Sequence, residues 1–309
     1  MKSKKVHFIG IGAQKAGTSW LFKNLSELEE FDLLPEKELN YFDRNKSYAS
    51  SNKLSNNKFL SRLHTRRHVY YAIKNPLKSL FKLKFKDANF YRKWHYNNIS
   101  DEWYLSLFED SSAYTGEITP SYMLLEKEDI MRMKELLPGV KVVLLLRNPI
   151  ERAWSSYRYS TKKIPNFNFE KVKYEEVIEF MESEGQTLRT DYIRAIRNYS
   201  SVFAKGDILI GFYDAIIENP NKLLHDILDH ICGINHKVSI DHLRLTEVVN
   251  KSTLVECTPA ISKYLKERYY GMIKELSETY GGYFTKWYEE TYDEVSINKN
   301  REWSVSIRL

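Results

Sequence analysis

Residues 6–25, VHFIGIGAQKAGTSWLFKNL, restrict the fold more than any other stretch of this 309-residue chain. The apolar run 6–11 suits an interior strand, and Gly12 to Gly17 supply a loop rich in small residues. Thr18 and Ser19 then open an amphipathic segment carrying Trp20, Leu21 and Leu25, the pattern of a helix start. A strand, a glycine-containing loop and a helix N-terminus in that order aim backbone N–H groups at one anion. The common nucleotide-binding pattern GxxxxGK[ST] puts lysine directly after its second glycine. Here Thr18 stands in that place and the lysine, Lys15, lies inside the loop. The displacement argues against a generic ATP or GTP site and for a different phosphate-bearing ligand.

The rest of the chain repeats this strand-to-helix grammar. Residues 141–146 form a continuous apolar strand, Pro149 suits the first turn of a helix, and 150–160 continue in helical form. Helical spacing recurs over 174–181 and 192–203, a short strand over 207–212, a helix over 220–231 after Asn219, and a long amphipathic helix over 259–280 that ends before Gly281 and Gly282. With 42% hydrophobic and 14% aromatic residues, the chain can bury a sizeable core. The expectation is an α/β fold whose ligand sites lie at the C-terminal ends of the strands. No repeat, low-complexity tract or Pro/Gly linker divides it, so 1–309 reads as one domain.

Composition narrows the setting. Residues 1–5 lead directly into the first strand without signal-peptide form. No run approaches the roughly 18 apolar residues of a membrane span. The only cysteines, Cys232 and Cys257, are too few for a disulfide framework and lack the spacing of a zinc site. A soluble, cytoplasmic protein with reduced thiols and no bound metal is expected. Charge is uneven: between Arg44 and Lys93 stand fourteen Lys/Arg against one acid, Asp87. That segment carries +13 in a chain of net +6, leaving −7 elsewhere. Phe59, Tyr70, Tyr71, Phe81, Phe85, Phe90 and Tyr91 are interleaved with residues such as Arg66, Arg67, Lys82, Lys84 and Lys86, unlike a disordered basic tail. It reads as a variable insertion at about 44–110, either a solvated loop or a partly ordered element that attracts an anionic acceptor. No nucleic-acid recognition motif accompanies it.

Three segments in order carry a family resemblance. QKAGTSWL resembles the 5′-phosphosulfate loop of sulfotransferases that use 3′-phosphoadenosine 5′-phosphosulfate (PAPS). PEKELNYFD, residues 35–43, looks like the acidic segment that follows that loop in heparan sulfate sulfotransferases and their bacterial relatives. KVVLLLRNPIERAWSSY, residues 141–157, is similar to the family's 3′-phosphate-binding strand and helix, and GEITPSYM, residues 116–123, occupies the place of another recurring segment. The resemblance implies a P-loop-like three-layer fold, a central parallel sheet flanked by helices. It also implies PAPS as donor and a hydroxyl-bearing acceptor. Lys15 would neutralise charge on the oxygen between phosphorus and sulfur, and the backbone and hydroxyls of Ala16, Gly17, Thr18, Ser19 and Trp20 would hold the 5′ end. Arg147 and Ser155 would hold the 3′-phosphate, with Arg152 as a weaker candidate that could instead pair with Glu151 or another surface acid. Glu38 would be the base, with Glu36 retained as an alternative because two residues along an extended strand face the same side.

The chain departs from the family pattern at two places. Asn40 stands where heparan sulfate enzymes commonly carry histidine, and Ile118 where they carry lysine, which puts heparan-type recognition in doubt and leaves more leaving-group stabilisation to Lys15. Thr119, Pro120, Ser121 and Tyr122 are read as cleft-lining, or as a proline turn after a strand, and Asn250, Lys251 and Ser252 as a late donor-contacting loop. The reading is sulfuryl transfer to a hydroxyl on a carbohydrate or glycolipid, with an anionic glycan among the acceptors considered. The alternatives left open are O-sulfation of a small molecule, lipid or natural-product intermediate, a non-catalytic nucleotide- or polyanion-binding protein, and a kinase.

Overall fold

The computed structural model describes residues 6–51, 53–55, 58, 66–108, 113–162, 164–165, 167–247, 255–293 and 301–309. Phe59 and 250–252 lie outside the described residues. The sheet is built from β1 (Phe8–Gly12), β2 (Gly116–Ile118), β3 (Lys141–Leu146), β4 (Ile208–Phe212) and β5 (Ser306–Arg308). Their order is β2-β1-β3-β4-β5. The first four run parallel, and β5 returns antiparallel to β4, with Ile210 opposite Ile307. The sheet is therefore parallel through its centre, as the resemblance implied, and mixed only at the edge where β5 joins. Three short residues with no apolar run leave β5 without a signal of its own.

β1, β3 and β4 are covered on both faces, which is why they read as unbroken apolar runs rather than alternating ones. From β1 the chain crosses to β2 on one side and then to β3 on the other. That reversal opens a crevice at the carboxyl ends of β1 and β3, the usual ligand position in an open α/β sheet. The helix Thr18–Ser26 buries Trp20, Leu21 and Leu25 on the face its spacing predicts. The helix Pro149–Thr161 starts with proline in its first turn and is capped by the Asn148 side chain, which accepts from the Ile150 N–H at 3.0 Å.

The buried apolar side chains of both halves join one contiguous core, into which the segment called an insertion contributes Phe90, Trp103, Tyr104 and Phe108. Part of that segment forms two helices, Arg66–Phe81 and Phe85–Tyr96, packed against each other as a hairpin, and the second of them carries Phe90 into the core.

Candidate active site

The crevice at the ends of β1 and β3 is a cleft of about 490 Å³. Its floor is the loop after β1 and the start of the helix Thr18–Ser26: Gln14, Lys15, Gly17, Thr18, Ser19 and Trp20 all line it. Gly17 sits at the helix start with φ 92°, and a Cβ there would fall 2.3 Å from Ile216 Cδ1. The positive φ favours glycine here, and any side chain would also have to displace the Ile216 methyl. No side chain caps this helix. Its first N–H groups, which have no intrahelical partner, are left to serve a ligand.

Lys15 also takes up the left-handed conformation, at φ 71°. Its Nζ lies 4.4 Å from the centre of the Tyr159 ring. Burial, with the neighbouring charges of Lys162, Arg147, Arg158 and Lys37, brings its ammonium down from 10.5 to about 8. Five cations gathered in one place repel one another, and an entering polyanion relieves that repulsion. The arrangement therefore fits a ligand with several negative charges.

The acidic segment closes one side. Glu38 lines the cleft, half exposed, with Oε1 3.8 Å from Lys37 Nζ. An exposed contact this long is a weak ion pair and leaves the carboxylate accessible. The segment is not an extended strand: Glu38 and Asn40 have φ of 66° and 57°. Strand alternation therefore fails here, and Glu36 points elsewhere. It is not among the cleft-lining residues, its carboxyl is pushed up by burial, and its charge is felt by Tyr91 of the hairpin helix Phe85–Tyr96. Lys37 was not singled out from sequence, yet its ammonium donates to Ser19 Oγ at 3.0 Å and Thr18 Oγ1 at 3.3 Å. Burial pulls its pKa down. It brings a second lysine to the loop after β1, whereas Ile118 is buried in β2 beside Gly10.

At the end of β3, Arg147 and Ser155 both line the cleft. The Arg147 guanidinium chelates Glu151 through Nε at 3.0 Å and Nη2 at 2.8 Å and lies 4.3 Å from the Tyr213 ring centre. Tyr192 fixes the strand end by donating to the Arg147 carbonyl at 2.7 Å. Ser155, Tyr159 and Lys162 come from one face of the same helix and its C-cap. Steps of four and three residues from Ser155 would have found the other two in the sequence. Opposite, the Trp20 indole N–H donates to the Leu245 carbonyl at 2.8 Å, which pins the cleft-lining residues Leu245, Thr246 and Glu247 over the loop.

A profile described as Sulfotransferase domain matches residues 5–296. The chain belongs to the sulfotransferase family. The sulfotransferase of Alicyclobacillus acidocaldarius superposes with a TM-score of 0.57 at 19% identity, over 88% of this chain and 94% of that one, which shows the shared fold. The membrane-associated sulfotransferase kil1 of Dictyostelium discoideum is 30% identical over 119 residues, or 35% of this chain. The match spans about a quarter of that curated relative, 24% of its length.

Several sulfotransferase motif residues lie outside the cleft. Ala16 is buried and its N–H is already given to the Ala13 carbonyl at 3.2 Å, so it holds the loop rather than a ligand. Arg152 forms no ion pair with Glu151 among the described residues. It is wholly buried and donates to Gln186 and Thr190. Of the 119–122 segment only Pro120 lines the cleft. Ser121 and Asn40 are tied to Asp43. Thr119 and Tyr122 donate to Glu117, as does Tyr104. Tyr122 Oη in turn accepts from the Tyr41 N–H at 2.9 Å, so this buried network sets the backbone just beyond Glu38. Burial pushes the Glu117 carboxyl up to about 7, against the pull of its three hydroxyl donors. Among the described residues no group of three or more His, Cys, Asp or Glu side chains is placed to hold a metal ion, and no helix is long and apolar enough to cross a membrane.

Proposed function

We propose that this chain transfers a sulfuryl group from PAPS to a hydroxyl on a carbohydrate or glycolipid. The observation that carries the reading is the pairing of two cation sets within one cleft: Lys15 and Lys37 at the uncapped helix start, Arg147 with Ser155 at the end of β3. A mononucleotide needs one such set; a donor phosphorylated at both its 5′ and 3′ ends needs two. In this reading Arg147 exchanges Glu151 for the 3′-phosphate, a forked donor for a tetrahedral anion.

Glu38 takes the proton of the acceptor hydroxyl as that oxygen forms its bond to sulfur. The bond from sulfur to the phosphate oxygen breaks in line, and its electron pair leaves on the 5′-phosphate of 3′-phosphoadenosine 5′-phosphate. Lys15, supported by Lys37, meets that developing charge; a preorganised donor of this kind contributes on the order of 10²–10³ in rate. Positioning and charge stabilisation supply the remainder. A second reading, transfer to a small molecule, lipid or natural-product intermediate, is favoured by two positions. Ile118 is sealed in the sheet and the Asn40 amide is fully engaged with Asp43, Ser121 and Ser51, so neither offers the side chain that heparan-type enzymes commonly carry there. Both readings treat residues 1–309 as one domain, supported by the contiguous core, and place it in the cytoplasm, supported by the two free thiols of Cys232 and Cys257.

Calorimetric titration with 3′-phosphoadenosine 5′-phosphate, without added metal and with ATP and adenosine 5′-phosphate as controls, tests the donor. Selective binding of the bisphosphate is expected. No binding, or ATP binding that requires magnesium, overturns the reading in favour of a kinase or a nucleotide-binding protein.

A further inference from the structure

The helical hairpin is amphipathic in the wrong direction for a protein interior. Small side chains of the two helices, Ala72, Ser79 and Ala88, are the ones that are buried, together with Phe90 and His95. The large apolar residues of the helix Arg66–Phe81 face outward instead. Ile73, Leu77, Leu80 and Phe81 follow one another at steps of four, three and one, a single helical stripe, with exposures of 54%, 48%, 45% and 87%. At the turn, Leu83 and Phe85 extend the stripe at 75% and 67% exposed. More than half of the exposed large apolar side chains among the described residues fall within 70–96. Contiguous exposed apolar surface of this kind marks an interaction site.

Lysines flank the stripe. Lys78, Lys82, Lys84 and Lys86 are all exposed around the turn; Asp87 stands 3.9 Å from Lys84 and Asp32 3.4 Å from Lys86, which leaves Lys78 and Lys82, among the described residues, facing no acid in the hairpin itself. Cations near a helix C-terminus also suit its dipole, which would account for Lys78 and Lys82 alone. It does not account for the phenylalanines and leucines beside them.

The turn itself is built. Leu83 adopts φ 55°, the Lys84 N–H reaches back to the Ser79 carbonyl at 2.9 Å, and the Leu83 N–H to the Leu80 carbonyl at 2.9 Å. Pro76 has no N–H for the Ala72 carbonyl four residues earlier, and Tyr96 of the partner helix donates its hydroxyl there at 3.0 Å. The hairpin thus holds its apolar edge in place without help from a partner. None of its residues lines the catalytic cleft.

We propose that this hairpin edge is a docking surface for an anionic lipid bilayer, with Phe81, Leu83 and Phe85 entering the interface and the lysines meeting the headgroups. An apolar wedge ringed by lysines is the pattern of an interfacial anchor. A soluble polyanion needs the lysines and has no use for the wedge. A second copy of the chain would set like charges against like.

Cosedimentation of the full chain with phosphatidylcholine vesicles, with and without phosphatidylglycerol, tests the assignment, and calorimetric binding of 3′-phosphoadenosine 5′-phosphate to each variant reports separately on the donor site. The wild type should bind the anionic vesicles and release them as salt rises. Phe81→Ser with Leu83→Asn should weaken that binding about a hundredfold or more, the effect of removing two buried apolar side chains. Asparagine tolerates the left-handed conformation at 83, and serine at 81 removes no core contact, so the fold is kept. Lys78→Glu with Lys82→Glu should weaken it by at least about fivefold per residue and remove the preference for phosphatidylglycerol. Wild type indifferent to the anionic lipid overturns the proposal. So does vesicle binding that the Phe81→Ser and Leu83→Asn pair leaves unchanged, with only heparin retention falling in the lysine pair, which would mark a soluble polyanion. A dimer that the apolar pair converts to monomer, without vesicle binding, overturns it in favour of a second copy.

Discussion

The cations of the cleft and those of the hairpin differ in what surrounds them. Lys37 and Arg147 keep 20% and 17% of their side chains exposed, against 65% and 72% for Lys84 and Lys86. In the cleft, desolvation and proximity make each charge costly to its neighbours, as the depressed Lys15 records. That cost is recovered by one multivalent anion of matching shape. On the hairpin, water and salt screen each charge, so attraction adds up residue by residue and specifies no geometry. A similar count of lysines and arginines makes a site in one place and a surface in the other, and burial decides which.

The largest effect that separates the two regions is on turnover. Lys15→Ala should lower sulfuryl transfer on the order of 10³-fold, while Lys82→Ala on the hairpin leaves steady-state rates with a water-soluble acceptor unchanged; equal losses would dissolve the contrast. Next, Glu38→Gln should cost on the order of 10²-fold in transfer and retain affinity for 3′-phosphoadenosine 5′-phosphate. If Glu36→Gln does this instead, the base has been assigned to the wrong carboxylate. Arg147→Ala should weaken 3′-phosphoadenosine 5′-phosphate by about ten- to a hundredfold, the range for charge-assisted hydrogen bonds, and adenosine 5′-phosphosulfate far less, as read by competition titration. Equal weakening of both ligands removes the 3′-phosphate role.

Smaller effects follow pH. Lys15 titrates near 8 in the free protein, and a bound polyanion raises it. Binding therefore takes up a proton around that pH, and affinity falls several-fold as pH climbs above it. Titrations in buffers of different ionisation enthalpy read the proton directly, and no uptake would mean that Lys15 does not meet the ligand. Glu117 works in the opposite region of the scale. Its folded carboxyl titrates near 7 instead of 4.5, so the folded state binds more protons across that window. Its contribution to stability is full below 4.5 and is lost as pH rises through 7. Thermal melts of Glu117→Gln and wild type should diverge over this interval, by about 3 kcal/mol; parallel curves would show that folding does not raise the Glu117 carboxyl.

Much of the sheet was legible in the chain because β1, β3 and β4 are covered on both faces and write themselves as apolar runs. The limits of β3 and of the helix Pro259–Tyr280 coincide with those read from sequence. β5 was not legible, since its three residues pair with β4 only because the chain end is carried there. Lys15, Gly17, Thr18, Ser19, Trp20, Arg147 and Ser155, all singled out from the sequence, line one cleft. Lys37, Tyr159 and Lys162 were missed: the first because positive φ at Glu38 breaks the period that strand reasoning assumes, the others because a helical face was not followed past Ser155.

By itself the sequence determined the strand-loop-helix units, the lysine displaced into the first loop and the concentration of basic residues between 44 and 93. These rest on local spacing, and local spacing survives without a fold. Which cations converge, which are desolvated and which stay in water was decided only by the tertiary structure. Crossing from β1 to β2 and back to β3 brings residues more than a hundred positions apart to one crevice, and packing alone sets how much water remains around each charge.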